Sequence, residues 1–277
     1  MERLKQAREG LREREQRRRA LVQMLRVKGV PRADAASGKV VQALARAGVF
    51  RLRGVLIGTH AFRLYPLILG ATLPEAHQAT EDIDVAQFHE ISVALDDRVD
   101  PRIQEALAQV GELTPAASLY QSQPTGYRVA DMLVEILTPN RGPERDDPIE
   151  LPALGVHAKA LRFLDFLLAD AIPAAVPYRY GVLVNVPQPA RYAVHKLILS
   201  TRRARSAAAK ARKDTEQATS LIRVMAEDQP DELADSYLEA SGRGEQWQRA
   251  LTRGAGRLPG DARQALEEAV NEHASGK

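Results

Sequence analysis

The segment "GTHAFRLYPLILGATLPEAHQATEDIDVA", Gly58 to Ala86, decides the predicted fold. Its first half, through Leu69, is too densely apolar for strict alternation and predicts a helix that begins at the Gly-Thr pair. Its last residues, "DIDVA", predict a strand on which Asp82 and Asp84 point the same way, because side chains alternate along a strand. Like charges on one face raise each other's pKa unless a cation lies between them. The segment therefore suggests a cation site beside a glycine turn.

Composition indicates a soluble protein. A chain of 277 residues can bury a sizeable core as one large domain or two small ones. Cysteine is absent, which excludes disulfides and thiolate metal sites and is compatible with a reducing cytoplasm. No apolar run reaches about 18 residues, and the first residues are charged where a signal peptide needs an apolar core. We expect a cytoplasmic protein that does not enter a membrane.

Positive charge is concentrated in two segments. Residues 1–28 contain ten Lys or Arg against four Glu, and residues 202–213 contain six basic residues and no acid. Either segment could bind nucleic acid or phosphate. We favour a solvated helix face for residues 1–28, whereas for residues 202–213 both interpretations stay open.

Hydrophobic periodicity predicts helices at both ends of the chain and strands between them. The individual predictions are a helix over 1–28, a helix over 39–50 that ends near Gly48, strands at 53–58, 82–86 and 127–139, a helix at 158–170 that could also pair as strands, a hairpin over 174–189 and one continuous helix from Ala190 to about residue 227. The fold class is α/β (α+β), a small mixed sheet with N-terminal helices and a C-terminal helical domain. We place the domain boundaries at 1–48, 49–140, 141–189 (a linker and hairpin extension) and 190–277.

Common nucleotide-binding and hydrolase motifs are absent from the sequence. "ASGKV" around Lys39 lacks the upstream Gly and the Ser/Thr of a P-loop, and no GxGxxG follows a predicted strand. HExxH and GxSxG are also absent. Zinc and serine hydrolases therefore have no support.

Asp82 and Asp84 have a spacing that suits a shared metal site. Their Cα atoms would lie about 6–7 Å apart, so both carboxylates could reach one or two Mg²⁺ (or Mn²⁺) ions. Two such ions stabilise the attacking and leaving oxygens in phosphoryl transfer. Gly58 would let the backbone approach a phosphate, and Thr59 could cap the next helix and donate its hydroxyl. The alternative is a surface strand with two solvated acids, next to an ordinary turn.

"LIGTHAF" followed by "TEDIDVA" resembles the signature of the nucleotidyltransferase superfamily related to DNA polymerase β: a strand, Gly-Ser/Thr, a helix and Asp-x-Asp on the next strand. With "VEILTP" and "HKLILSTRR" added, the chain is similar to a bacterial family of nucleotidyltransferase-fold proteins related to abortive-infection nucleotidyltransferase toxins. The resemblance spans roughly residues 40–225. It implies metal-dependent transfer of an NMP group from an NTP to an unknown acceptor, such as RNA or protein.

The resemblance also implies roles for individual residues. Asp82, Asp84 and Glu135 would be the catalytic metal ligands, although the superfamily more often has Asp at the position of Glu135. Asp131 shares the parity of Glu135 on the predicted strand about 13 Å away, so a single metal cluster can use only one of them, and the resemblance selects Glu135. The implied nucleotide-binding residues are Gly58, Thr59, Lys196, Arg203, Lys213 and Asp214.

The basic residues after Ala190 form a pattern on the predicted continuous helix. At 100° per residue, Lys196, Arg203, Lys210 and Asp214 fall within a stripe about 40° wide. A basic stripe suits a triphosphate or a polynucleotide. A loop at "SAAAKARK" would destroy this register.

Two classes of function stay open. The first is the metal-dependent nucleotidyltransferase. The second is a catalytically silent nucleotide- or RNA-binding module, for example within a toxin–antitoxin pair.

Overall fold

The computed structural model describes residues 1–27, 33–74, 82–117, 122–143 and 146–275. Two N-terminal helices precede a mixed sheet, a β-hairpin follows the sheet, and five helices complete the C-terminal part. Within the described ranges, no helix is long and apolar enough to cross a membrane. The predicted α/β class with helices at both ends is confirmed.

The N-terminal helices are α1 (Glu2–Val27) and α2 (Ala35–Ala47). The predicted helix over 1–28 matches α1 except for Lys28, which lies outside the described residues. Asp34 caps α2, because its side chain accepts a hydrogen bond of 2.8 Å from the Ser37 N–H. The helix ends as predicted at Gly48, which has a φ of 96°, the left-handed conformation that favours glycine.

The sheet is built around its central strand. Its strands are β1 (Val55–Ile57), β2 (Asp82–Ala86), β3 (Leu113–Pro115), β4 (Gly126–Val129), β5 (Met132–Pro139), β6 (Ile149–Leu151) and β7 (Val156–Leu161). β5 pairs in parallel with β2 along one edge. Along its other edge, its first half pairs with β4 and its second half pairs in parallel with β7. Strands β2, β5 and β7 are therefore parallel to one another, and residues paired in register place their side chains on the same face of the sheet.

Short helices connect these strands. They are α3 (Gly58–Phe62), α4 (Tyr65–Leu69), α5 (His89–Ala94), α6 (Ile103–Ala108) and α7 (Leu164–Leu168). The predicted single helix from Gly58 to Leu69 is therefore two helices. Pro66 lies in the first turn of α4, where it cannot donate a backbone hydrogen bond to the preceding turn, and so it separates them.

The prediction of one strand over 127–139 is wrong. β4 and β5 form an antiparallel hairpin, in which Val129 pairs with Met132. Ala130 and Asp131 form the two-residue turn, and Ala130 has a φ of 50°. Asp131 is exposed in this turn, whereas Glu135 lies within β5, so the predicted shared parity of the two acids does not exist.

The prediction of a helix over 158–170 is correct only for α7 in the second half of this range, and the strand alternative holds for the first half. Lys159 lies in β7 opposite Leu137 of β5. Pairing with a strand distant in sequence has overridden the local helix propensity. The hairpin predicted over 174–189 is confirmed as β8 (Ile172–Val176) and β9 (Val182–Val186).

The predicted continuous helix from Ala190 is wrong as well. Its first part is α8 (Pro189–Arg202), and its second part is α9 (Ala208–Asp228). Residues 203–207 break the helix and return the chain, so that α9 packs against α8. The stripe calculated for one straight helix does not exist, because its members belong to two helices.

Three further helices enclose α8 and α9. They are α10 (Pro230–Gly242), α11 (Glu245–Ala255) and α12 (Gly260–Ser275). Phe163 and Phe166 pack with Val194 and Ile198 of α8 in a small second core beside the main one. This core fixes one side of α8 and leaves another side facing the sheet.

Candidate active site

Three acids lie on one face of the sheet. Asp84 is paired in register with Ile57 of β1 on one side and with Glu135 of β5 on the other. Neighbouring strands are about 4.8 Å apart, so Asp84 and Glu135 are adjacent. Asp82 lies two residues before Asp84 and therefore on the same face. The structure brings together the three carboxylates that the sequence singled out.

Gly58 allows the turn after β1 to approach Asp84. Its φ is +65°, and a Cβ atom at this position would lie 2.4 Å from Asp84 Oδ2. Tyr192 donates from its hydroxyl to the Gly58 carbonyl at 2.9 Å, and the same hydroxyl is 3.0 Å from Gln217 Oε1. Both the conformation and the space therefore require glycine.

Replacing Gly58 by Ala should destabilise the protein and displace the Asp84 carboxylate. A side chain at positive φ costs about 1 kcal/mol, and the clash adds to this cost. Gly70→Ala is a matched control, since Gly70 has a φ of +66° and a Cβ atom added there would have no described atom within 4 Å. Chemical unfolding should show the larger loss of stability for Gly58→Ala. Equal losses in the two variants would mean that the contact with Asp84 is unimportant.

The environment of Asp84 favours its protonated form. Burial, and then the charge of Glu135, raise the pKa of Asp84 to about 7, against the opposing effect of Lys196. Asp82 also raises this pKa, and Lys210 lowers it. Near neutral pH, this carboxyl group is therefore only partly ionised unless a further positive charge approaches.

The donor set is chemically suited to a hard divalent cation. Asp82, Asp84 and Glu135 supply the carboxylate oxygens that Mg²⁺ prefers. Within the described residues, no three His, Cys, Asp or Glu side chains are gathered closely enough to hold one ion. The Asp82 carboxylate instead lies 3.9 Å from Lys210 Nζ. Joint ligation would thus require Asp82 to turn away from Lys210.

Helix α8 forms the wall opposite the acids. Its cavity-lining residues recur at helical spacing and are Tyr192, His195, Lys196, Leu199 and Arg202, and Arg203 lines the cavity directly after the helix. The cavity between α8 and the sheet has a volume of about 450 Å³. This volume is within the range of small-molecule sites.

Lys196 and Arg203 share one buried carboxylate. Lys196 Nζ is 2.6 Å from Asp214 Oδ1, and Arg203 Nε is 2.8 Å from Asp214 Oδ2. Burial raises the pKa of Asp214, but the two cations outweigh it and hold this pKa below its usual value. Asp214 thereby fixes the positions of two positive charges at the cavity.

Three predicted nucleotide-binding residues do not line the cavity: Asp214, which is buried behind Lys196 and Arg203, Thr59 and Lys213. Thr59 is buried in α3, and Lys213 is half-buried in α9, and neither is among the described residues that line the cavity. The N-cap residue of α3 is Ile57, not Thr59. The apolar side chain of Ile57 makes no capping hydrogen bond. The predicted capping role of Thr59 is therefore not formed. Burial and then Lys196 lower the pKa of Lys213.

The sequence analysis missed several residues of the cavity. Lys159 lies in β7, and Arg162 comes directly after it. The alternation of apolar and polar residues in "VHAKAL" is the signal that could have revealed them. His195 of α8 also lines the cavity. Burial and then Lys196 lower its pKa to about 3, so it is neutral at physiological pH.

Comparison with known proteins identifies a family for this chain. Residues 35–242 match a family model described as Nucleotidyltransferase. No curated protein and no solved structure matches the chain significantly. The family match covers well over half of the sequence and includes the three acids, the glycine turn and the cations of α8 and α9. The chain belongs to this nucleotidyltransferase family.

Proposed function

We propose that the protein transfers an NMP group from an NTP to an acceptor hydroxyl and that this reaction depends on Mg²⁺ or Mn²⁺. The observation that carries the proposal is the arrangement of Asp82, Asp84 and Glu135 on one face of a cavity whose opposite wall bears Lys196. Family membership supports the nucleotide substrate and the type of transfer. The metal and the roles below belong to the proposal.

Each of the three acids has its own role in the proposed reaction. Asp82 and Asp84 would hold the divalent cation, which would draw charge from the reacting phosphate. Glu135 would help to activate the acceptor hydroxyl, either as the base that takes its proton or as a third ligand of the cation. The acceptor oxygen forms a bond to the α-phosphorus, the bond to the bridging oxygen breaks, and pyrophosphate leaves with that oxygen.

The remaining residues would bind the triphosphate. Gly58 allows close backbone approach, and Lys196 with Arg203 would neutralise the charge that develops on the leaving pyrophosphate. Asp214 acts as a positioning residue for both cations. Thr59 and Lys213 do not line the cavity and would support triphosphate binding indirectly. Thr59 would do so through the turn at Gly58, and Lys213 through its positive charge.

The test is a labelling experiment with paired substrates. Each NTP is supplied with label at either the α- or the γ-phosphate, with Mg²⁺ or Mn²⁺ and cell extract as the source of acceptor. Nucleotidyl transfer predicts a product labelled from the α-phosphate alone. Label from the γ-phosphate would identify a kinase instead and contradict the proposal.

A silent nucleotide- or RNA-binding module is the second candidate. It is favoured by the proximity of Asp82 to Lys210 and by the lack of a three-donor cluster among the described residues. This candidate predicts NTP binding without a labelled product under any condition. Participation in a toxin–antitoxin pair is a further hypothesis that rests on the sequence resemblance.

Cation binding should depend on pH because Asp84 must lose its proton. With a pKa of about 7, Asp84 is mostly ionised at pH 8 and mostly protonated at pH 6. Mg²⁺ or Mn²⁺ should therefore bind about tenfold more weakly at pH 6 than at pH 8. Calorimetric titration of the nucleotide-free protein measures this change, and Asp84→Asn is the control that should lack it. An affinity that is the same at both pH values would contradict the involvement of Asp84.

A further inference from the structure

A second group of cations lines the cavity away from Lys196. We call Lys159, Arg162 and Arg202 the distal rim. Lys159 is exposed and pairs in register with Leu137, which lies two residues after Glu135 and on the same face. From the spacing of residues and strands, its Cα lies about 8 Å from that of Glu135. The distal rim therefore begins one strand away from the third acid.

Two members of the distal rim are held by an aromatic ring. The Arg162 and Arg202 guanidinium carbons lie 5.9 Å and 5.0 Å from the centroid of Phe163, which is buried between β7 and α7. Arg162 Nη2 also donates to Gln246 Oε1 at 2.9 Å. These contacts orient the two guanidinium groups at the cavity.

Two members of the distal rim, Lys159 and Arg162, differ from the other cavity cations in their ion pairs. Lys196 and Arg203 are paired with Asp214, and Lys210 lies near Asp82. Across the described ranges, neither Lys159 nor Arg162 has a carboxylate within ion-pair distance. Basic side chains that line a cavity without an acidic partner suit an anionic ligand.

We propose that the distal rim binds a phosphate group of the acceptor. This inference rests on the proposed function, in which Glu135 faces the acceptor hydroxyl and Lys196 faces the triphosphate. Glu135 pairs with Asp84 on one edge of β5 and with Gly126 of β4 on the other, and β7 begins beside Leu137, so Lys159 of the distal rim lies diagonally across from Glu135. The acceptor is thus a molecule with a phosphate close to its reactive hydroxyl, either a mononucleotide-sized phosphoester or a polynucleotide end.

Binding measurements with three probes test this assignment. The probes are a short single-stranded oligoribonucleotide with a free 3′-hydroxyl, a nucleoside monophosphate and a non-hydrolysable NTP analogue. The variants are Lys159→Gln and Arg162→Gln, and the control is Arg128→Gln, because Arg128 is exposed on β4 and is not one of the described cavity residues. Thermal unfolding shows whether each variant is still folded. Arg162→Gln could disturb the packing of Phe163, whereas Lys159 is exposed, so Lys159→Gln still tests the proposal in that case.

The distal-rim variants should bind the oligoribonucleotide roughly tenfold more weakly, as expected for a lost hydrogen bond to a charged group. Each should reduce the salt-dependence slope by about 0.7 for one phosphate contact fewer. The affinity for the NTP analogue should change by less than about twofold. A loss confined to the nucleoside monophosphate would also support a phosphate subsite, and would identify a small acceptor.

Two results would overturn the assignment. A loss for the NTP analogue alone would make the distal rim part of the triphosphate site, with nucleotidyl transfer still intact. Unchanged binding of both phosphate acceptors would favour a phosphate-free acceptor such as a protein hydroxyl. If the unaltered protein did not bind the NTP analogue, the proposed function would fail, while the oligoribonucleotide arm would still report on the distal rim.

Discussion

Asp84→Asn should reduce nucleotidyl transfer by about a thousandfold and also make the cation-free protein more stable at pH 8. The loss of activity follows because Asn provides no negative charge for a divalent cation, an effect worth several kcal/mol. The gain in stability follows because burial and Glu135 raise the pKa of Asp84 to about 7 from its ordinary value of 3.8. Ionised Asp84 therefore opposes folding. This opposition is fully present above pH 7 and disappears below about pH 4.

This difference between the folded and unfolded pKa values lowers the free energy of unfolding of the cation-free protein by about 4 kcal/mol at pH 8 and by much less at pH 5. Urea unfolding in the presence of a chelator measures the stability, and transfer from an α-labelled NTP measures the activity. Asp131→Asn is the matched control, because Asp131 is exposed in the turn between β4 and β5. A variant that transfers label at nearly the normal rate would contradict the proposed role of Asp84.

Glu135→Gln should lower transfer by roughly a hundredfold or more, the scale of a lost general base. Gln preserves the size of the side chain but removes the charge that the acceptor proton requires. Binding of the NTP should persist, because Asp82 and Asp84 are unchanged. Single-turnover assays and separate NTP titrations distinguish the two effects.

Glu135→Asp is the complementary variant, because the resemblance described above implies that Asp is more usual at this position. It should keep or raise transfer, since the charge remains and only one methylene is lost. Loss of transfer in Asp131→Asn but not in Glu135→Gln would contradict the register of β5. NTP binding without transfer in the unaltered protein, and no gain in Glu135→Asp, would establish the silent module.

The parts of the site that depend on local sequence were predicted well. "DIDVA" encodes a strand by alternation, and Gly58 precedes a helix because only glycine readily adopts the conformation of that turn. The hairpin at 126–139 was missed because its turn, Ala130–Asp131, lacks the Asn-Gly or Asp-Gly signal of short hairpins. Glu135 was nevertheless placed correctly, since the resemblance to the family identified it independently of that strand.

The parts that depend on distant contacts could not be predicted. β7 exists because it pairs with β5, and its own residues are compatible with a helix. The break between α8 and α9 contains neither Pro nor Gly, so no local signal marks it. On one straight helix, Lys196 and Asp214 would be about 27 Å apart. They are in contact because the chain reverses, which the calculated stripe could not anticipate.

In the proposed reaction, Tyr192 would restrict how pyrophosphate leaves. Its buried hydroxyl joins α8 to the turn at Gly58 and to Gln217 of α9, so lifting this end of α8 would leave a buried polar group without its partners. Such a group costs about 1–3 kcal/mol. The other end of α8, at Arg202, is exposed. We therefore expect the cavity to open by a hinge motion of α8 about Tyr192. The product would leave past the Arg202 end of α8, and the whole helix would not separate from the sheet.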